Sequence, residues 1–182
     1  MAETSFDLVV IGAGPGGYHA AIRGAQLGLK VAVIEKDDGT GIGGLGGVCL
    51  NWGCIPSKSL LKNAELLNQM KNADEWGFSF DNFSADMGKA VDRSRKVSST
   101  LTQGVGYLLR KNKIELFRGA GKFTSSTTVQ VEGGPELTAT NIVIATGARP
   151  RSLPGLEIDG ESVITSRNAL EMRETPDRKS VV

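Results

Sequence analysis

The chain has 182 residues, with 21 Lys and Arg against 20 Asp and Glu, a formal charge of +1. That balance excludes the broad basic field of a nucleic-acid binder, and 40% hydrophobic residues with so little net charge exclude a disordered chain. Glycine is over-represented, 24 residues or about 13% against a usual ~7%; clustered without a three-residue period, it belongs to turns, phosphate loops and close backbone contacts.

Residues 7–11, Asp7-Leu8-Val9-Val10-Ile11, are a short apolar run that stops at glycine, the pattern of a buried parallel strand. A helix is predicted over 15–27, packed through Ala20, Ala21, Ala25 and Leu27 and stopped by Gly28. Residues 30–35 form a second strand. Between the first strand and the helix, Gly12-Ala13-Gly14-Pro15-Gly16-Gly17 matches G-x-G-x-x-G. In that pattern Gly12 makes the tight turn, Gly14 lets backbone N–H groups approach a pyrophosphate, and Gly17 lets helix pack on strand. The helix N-terminus adds partial positive charge. Glu35 ends the second strand, where a carboxylate can accept hydrogen bonds from a ribose diol. Strand, helix, strand and acid in this register predict dinucleotide binding; glycines that merely permit a turn are the alternative.

The stretch 37–48 is half glycine, too dense for a regular element. It runs into Cys49-Leu50-Asn51-Trp52-Gly53-Cys54-Ile55-Pro56-Ser57-Lys58. Two cysteines and a single histidine, His19 in the first helix, are too few for a structural zinc site. Residues five apart on an ideal helix lie roughly 8–9 Å between Cα atoms, and a disulfide needs about 4.4–6.8 Å. A Cys49–Cys54 disulfide therefore requires a distorted turn, which Gly53 can absorb, and such a bond is readily reduced. The helix opened by Pro56 would favour a thiolate at Cys54. Two buried free thiols are the other reading. Lys58, taken alone, reads as a solvated surface charge.

After Pro56 a helix is predicted with Leu60, Ala64, Leu67 and Met70 on one face. A longer one is predicted over 84–111 through Met87, Val91, Ser94, Val97, Leu101, Val105 and Leu108, weakened near its end by Gly104 and Gly106. Strands follow at 114–117, 127–131 and 138–145. Gly119-Ala120-Gly121 is either a bulge or a place where backbone meets an adenine. Thr146 and Gly147, at the end of the last strand, either touch a ligand in the crevice or close an ordinary core strand. Beyond Pro150 the chain is loop-like, Ser166 caps a short helix through 172, and 179–182 look like the start of a strand.

These segments, in this order, resemble the pyridine nucleotide–disulfide oxidoreductase family, and within it the dihydrolipoamide dehydrogenases. The sharpest part is 46–58, whose Ile55-Pro56-Ser57-Lys58 ending favours these enzymes over glutathione reductases. The resemblance implies a Rossmann-like FAD-binding α/β fold with a parallel sheet and an additional antiparallel β-meander. It implies that Gly12, Gly14 and Gly17 form the FAD pyrophosphate turn and that Glu35, with Lys36 beside it, binds the adenosine ribose. Gly47 and Val48 would line the phosphate and ribityl path, Gly121 would approach the adenine, and Thr146 and Gly147 would contact FAD. Cys49 would be the interchange thiol, Cys54 the charge-transfer thiol against the flavin, and Lys58 would lie near flavin N5. Val48 replaces a threonine found in many members, losing a hydroxyl, and the loop 37–45 is longer than in the family.

The same resemblance implies an enzyme that oxidises dihydrolipoyl groups with NAD as the acceptor, as a homodimer serving lipoyl domains of 2-oxoacid dehydrogenase complexes or of the glycine cleavage system. A mercuric or glutathione reductase-like member, or a non-catalytic flavin-binding module, are the alternatives. Residues 1–150 are expected to be the FAD-binding domain with its redox disulfide, and 151–182 a linker and the start of an NAD-binding domain. His19 does not match the family's general base, so a chain of this extent is expected not to turn over; acid–base help is worth about 10²–10⁴-fold. Residues 8–22, an uncharged and largely apolar stretch, are broken by glycines and proline and fall short of the ~18 residues of a membrane span. Glu3 and Asp7 near the start argue against a secretory or transit peptide, so the expected location is the cytoplasm, or the mitochondrial matrix for a processed eukaryotic form.

Overall fold

Strand β1 (Ser5–Ile11) lies inside a six-stranded sheet of order β3-β2-β1-β6-β5-β4. Four strands are parallel: β1 pairs with β2 (Val31–Glu35) on one side and with β6 (Glu136–Ile144) on the other, and β2 pairs with β3 (Glu115–Arg118). The rest is an antiparallel meander, β4 (Gly121–Phe123) on β5 (Thr128–Val131) and β5 on β6. The computed structural model describes residues 4–36 and 44–176. The expectations for most of the long glycine loop and for a strand at 179–182 fall outside the described residues. By its internal contacts the chain divides into two units, Met1–Asn51 with Ser99–Arg149 and Trp52–Ser98 with Pro150–Val182.

The first unit holds the sheet. All five residues of β2 and the last four of β1 are buried, as both-face coverage of parallel strands demands. Helix α1 (Pro15–Gln26) lies against β1 and β2, where Gly24 leaves room for the side chains of Leu8 and Val31. The apolar core joins the two halves of the sheet: Phe6, Val9 and Ile34 from the parallel strands meet Val129, Val131 and Leu137 from the meander.

Several elements differ from expectation. Strand β4 forms where the sequence showed only an ambiguous glycine pair, because Gly121 pairs with Val131 and completes the meander. Helix α2 (Gly47–Trp52) begins inside the stretch judged too glycine-rich for a regular element. Helix α3 (Cys54–Lys71) starts two residues before Pro56, which sits in its first turn where the missing N–H costs nothing. Its expected buried face is not buried: Ala64 is exposed and Met70 is 44% exposed, and only Pro56 and Ser59 are buried.

Helix α4 (Met87–Lys111) is continuous through Gly104 and Gly106. Its buried stripe runs Val91, Ser94, Ser98, Val105 and Leu109, with Leu101 and Leu108 exposed; the true 3.6-residue period carries the stripe off the expected positions over 25 residues. A 3₁₀ turn, Ala73–Trp76, follows α3. Helix α5 (Ser166–Glu171) is capped by Thr165, whose N–H donates to Asn168 Oδ1 (3.0 Å), rather than by Ser166. Among the described residues no helix is long and apolar enough to cross a membrane.

Leu137→Ala, at a fully buried core position, is expected to cost about 2–5 kcal/mol in urea unfolding. Leu61→Gln on exposed α3 is expected to change stability by no more than about 0.5 kcal/mol.

Candidate functional site

The carboxyl ends of the parallel strands open into one cleft of about 700 Å3, within the size range of cofactor pockets. Backbone ladders continue past the strand ends to build its rim: Gly12 N–H donates to the Ile34 carbonyl (2.7 Å), Ala145 N–H to Ile11 (2.8 Å) and Gly119 N–H to Glu35 (3.0 Å). The switch of β1's neighbours from β2 on one side to β6 on the other is where open α/β sheets bind ligands.

The glycines of the turn divide by purpose. Gly12 has φ +102°, and a Cβ there would stand 2.3 Å from the Ala145 carbonyl oxygen. A Cβ on Gly17 would stand 1.8 Å from the Gly12 carbonyl oxygen, so this buried glycine brings α1 down onto the turn. Gly14 is different. Its backbone is extended (φ −71°, ψ −177°), and a Cβ would meet nothing nearer than Gly47 Cα at 3.8 Å. The chain's own packing does not require glycine there, and the space it leaves belongs to the cleft. Helix α1 also lacks a side-chain cap and any acidic residue in its first turn. Its N-terminal N–H groups and partial positive charge are therefore suited to an anion at the cleft. A pyrophosphate meets that requirement, so the residues fit a dinucleotide.

Glu35 is buried, 6% exposed, at the end of β2. Ala13 N–H donates to its Oε2, and Gly44 N–H donates to its Oε1 (3.1 Å). The carboxylate thus braces the glycine turn and the chain entering α2 while it lines the cleft. Gly47, at φ +58°, approaches Gly14 closely: a Cβ would lie 2.8 Å from Gly14 Cα. Gly121 is needed for packing, since a Cβ would crowd Val129, Ile11 and Ile34 at 3.2–3.5 Å.

Cys49 and Cys54 are joined in a disulfide. Gly53, at φ −144° and ψ −104°, breaks the helical path between α2 and α3, which supplies the distorted turn that the spacing demands. Cys49 lines the cleft and Cys54 is the first residue of α3. Two neighbours hold the loop. Asn51 donates from Nδ2 to the carbonyls of Leu45 and Gly47 (both 3.0 Å) and accepts from Thr102 Oγ1 (3.2 Å). The Trp52 indole is in contact with two guanidiniums, Arg95 at 4.4 Å and Arg167 at 4.3 Å from the ring centroid. Burial pushes the Arg95 guanidinium below its usual value, with Glu171 opposing and Arg167 reinforcing the shift; starting so far above neutrality, it stays charged. Among the described residues no cluster of His, Cys, Asp or Glu could hold a metal.

The model of the pyridine nucleotide-disulphide oxidoreductases matches residues 6–182. The chain belongs to this family. It is 48% identical to a dihydrolipoyl dehydrogenase of Chlorobaculum parvum over 185 residues, covering 100% of this chain and 38% of the relative. It is 43% identical to that of Bacillus subtilis, covering 98% and 39%. The crystal structure of LpdA from Mycobacterium tuberculosis superposes with a TM-score of 0.81 at 26% identity, over 96% of this chain and 38% of that one. RclA of Escherichia coli, a HOCl-induced flavoprotein disulfide reductase, gives 0.72 at 28% identity, over 92% and 34%. The chain therefore spans a little over a third of the length of these relatives. The parallel sheet with its meander is the FAD-binding Rossmann-like fold of disulfide oxidoreductases.

The cleft of this family member gathers Gly12, Gly14, Glu35, Lys36, Gly47, Val48, Cys49, Gly121, Thr146 and Gly147. Gly17 lies beneath it, and Lys58 is exposed on α3, one turn past Cys54, without lining it. Arg149 also lines the cleft, and Asn51 and Trp52 anchor the disulfide loop; sequence reasoning singled out none of the three. For Asn51 the available signal was an amide side chain between two cysteines, placed to bind backbone.

Gly17→Ala is expected to destabilise the fold by more than about 3 kcal/mol, because the clash is with backbone. Gly14→Ala is expected to stay within about 1 kcal/mol of the parent. Thermal unfolding of both variants checks the contrast.

Proposed function

We propose that the chain is the FAD-binding, redox-disulfide part of a dihydrolipoyl dehydrogenase. One observation carries the reading: a disulfide in which Cys49 faces a glycine-walled cleft and Cys54 begins a helix. Dihydrolipoyl dehydrogenases of several bacteria, 42–48% identical across almost the whole chain, support it. FAD, when bound, supplies a two-electron carrier between the protein dithiol and a nicotinamide. Gly12, Gly14, Gly17 and the α1 N-terminus would hold its pyrophosphate, Glu35 and Lys36 its adenosine ribose, and Gly121 its adenine. Gly47, Val48, Thr146 and Gly147 would line the remainder, with Lys58 near the flavin ring.

The chain's own chemistry is thiol–disulfide exchange. A dihydrolipoyl thiolate attacks Cys49 Sγ, the Cys49–Cys54 bond breaks, and Cys54 leaves as a thiolate. The second dihydrolipoyl thiol then attacks its partner sulfur in the mixed disulfide, closing the lipoyl ring and freeing Cys49. Two electrons and two protons have passed from substrate to protein. Cys54 leaves at the N-terminus of α3, where the partial positive charge of the helix favours a thiolate.

Residues 1–150 form the FAD-binding part under this reading, and 151–182 lead toward an NAD-binding domain. The whole protein is then a homodimer that serves lipoyl domains of 2-oxoacid dehydrogenase complexes or of the glycine cleavage system, with NAD as acceptor, in the cytoplasm or the mitochondrial matrix.

The test is made on the full-length protein. Dihydrolipoamide is expected to reduce Cys49–Cys54 at least about 100-fold faster than glutathione does, and Cys49→Ser to abolish that exchange with flavin content unchanged. Gly14→Ala is expected to lower flavin affinity about tenfold or more. Reduction by glutathione and not by dihydrolipoamide would reverse the substrate assignment.

A further inference from the structure

Trp52 is the last residue of α2, Gly53 follows it, and Cys54 opens α3. One glycine, the residue with most backbone freedom, thus separates Trp52 from the second cysteine along the chain. The indole is held by two cations that come from different elements, Arg95 from α4 and Arg167 from α5. Arg167 is itself tied to Glu171 one turn on (3.7 Å). A planar guanidinium stacks on an aromatic face in a way an ammonium does not, so the pair fixes the ring's plane as well as its place.

The consequence concerns the reduced state. While the disulfide is intact, the bond itself holds Cys49 and Cys54 together. Once two electrons and two protons have converted it to a dithiol, only the non-covalent contacts of the loop keep the sulfurs within reach. We propose that Trp52, held between Arg95 and Arg167, is a positioning residue that keeps the reduced Cys49–Cys54 pair preorganised for re-oxidation and so sets the potential of the disulfide. This rests on the reading that Cys49–Cys54 is reduced and re-formed in turnover. Freed of the indole, Gly53 gains conformations in the dithiol that the disulfide forbids, and the reduced form is favoured.

The experiment equilibrates the full-length protein with mixtures of reduced and oxidised dithiothreitol and counts free thiols by alkylation and intact mass. Trp52→Leu is expected to shift the equilibrium about tenfold toward the dithiol, which is about 30 mV for a two-electron couple. Trp52→Phe, which keeps a ring, is expected to restore most of the shift. Arg167→Lys keeps the charge and loses the stacking plane at a partly exposed position, so it folds and separates geometry from electrostatics; a shift of threefold or more toward the dithiol is expected. An equilibrium within twofold of the parent in both Trp52→Leu and Arg167→Lys overturns the proposal, even if thermal stability falls. A parent protein whose disulfide no dithiothreitol ratio reduces would instead overturn the redox reading of the pair.

Discussion

The contact of Gly17 with the Gly12 carbonyl is the constraint on which the cleft depends. With a hypothetical Cβ only 1.8 Å from that oxygen, no side chain is compatible with it. The contact brings the N-terminus of α1 down to the end of β1, where the strand's neighbours change. Glu35 then fixes the turn from the other side through Ala13 N–H, and Gly47 lets the start of α2 close over Gly14. Each step places glycine backbone in the wall of the cleft. A frame made of backbone tolerates little substitution, and it leaves Gly14 as the position where the described packing does not require glycine.

The disulfide loop follows the opposite logic. Its frame is made of side chains: the Asn51 amide on backbone carbonyls and the Trp52 ring on guanidiniums. Between them and Cys54 lies Gly53, whose non-helical torsions make the five-residue spacing compatible with an S–S bond. The loop is thus distorted at one residue and held firmly beside it.

Much of this was legible in the sequence. The parallel strands were readable because burial on both faces leaves an uninterrupted apolar run, as in 31–35, and the glycine turn because its three steric demands fall at set intervals. What escaped was set by tertiary context. The short β4 exists through its pairing with β5 rather than through its own residues, and the start of α2 overrides the low helix propensity of glycine. The apolar stripe expected on α3 reads as a core face, yet the described residues bring no layer over it. Arg95 and Arg167 lie 72 residues apart and meet only because both reach Trp52, which no local pattern announces.

Strand β6 serves two masters. Thr138 is aligned with Ser5 of β1 in the parallel half and with Thr128 of β5 in the antiparallel half. Side chains alternate faces along a strand, so a one-residue slip in the meander would turn Leu137 and Ala139 outward. The same strand ends at Ile144, one residue before the cleft wall begins at Ala145, so the register set in the meander is carried to Thr146 and Gly147.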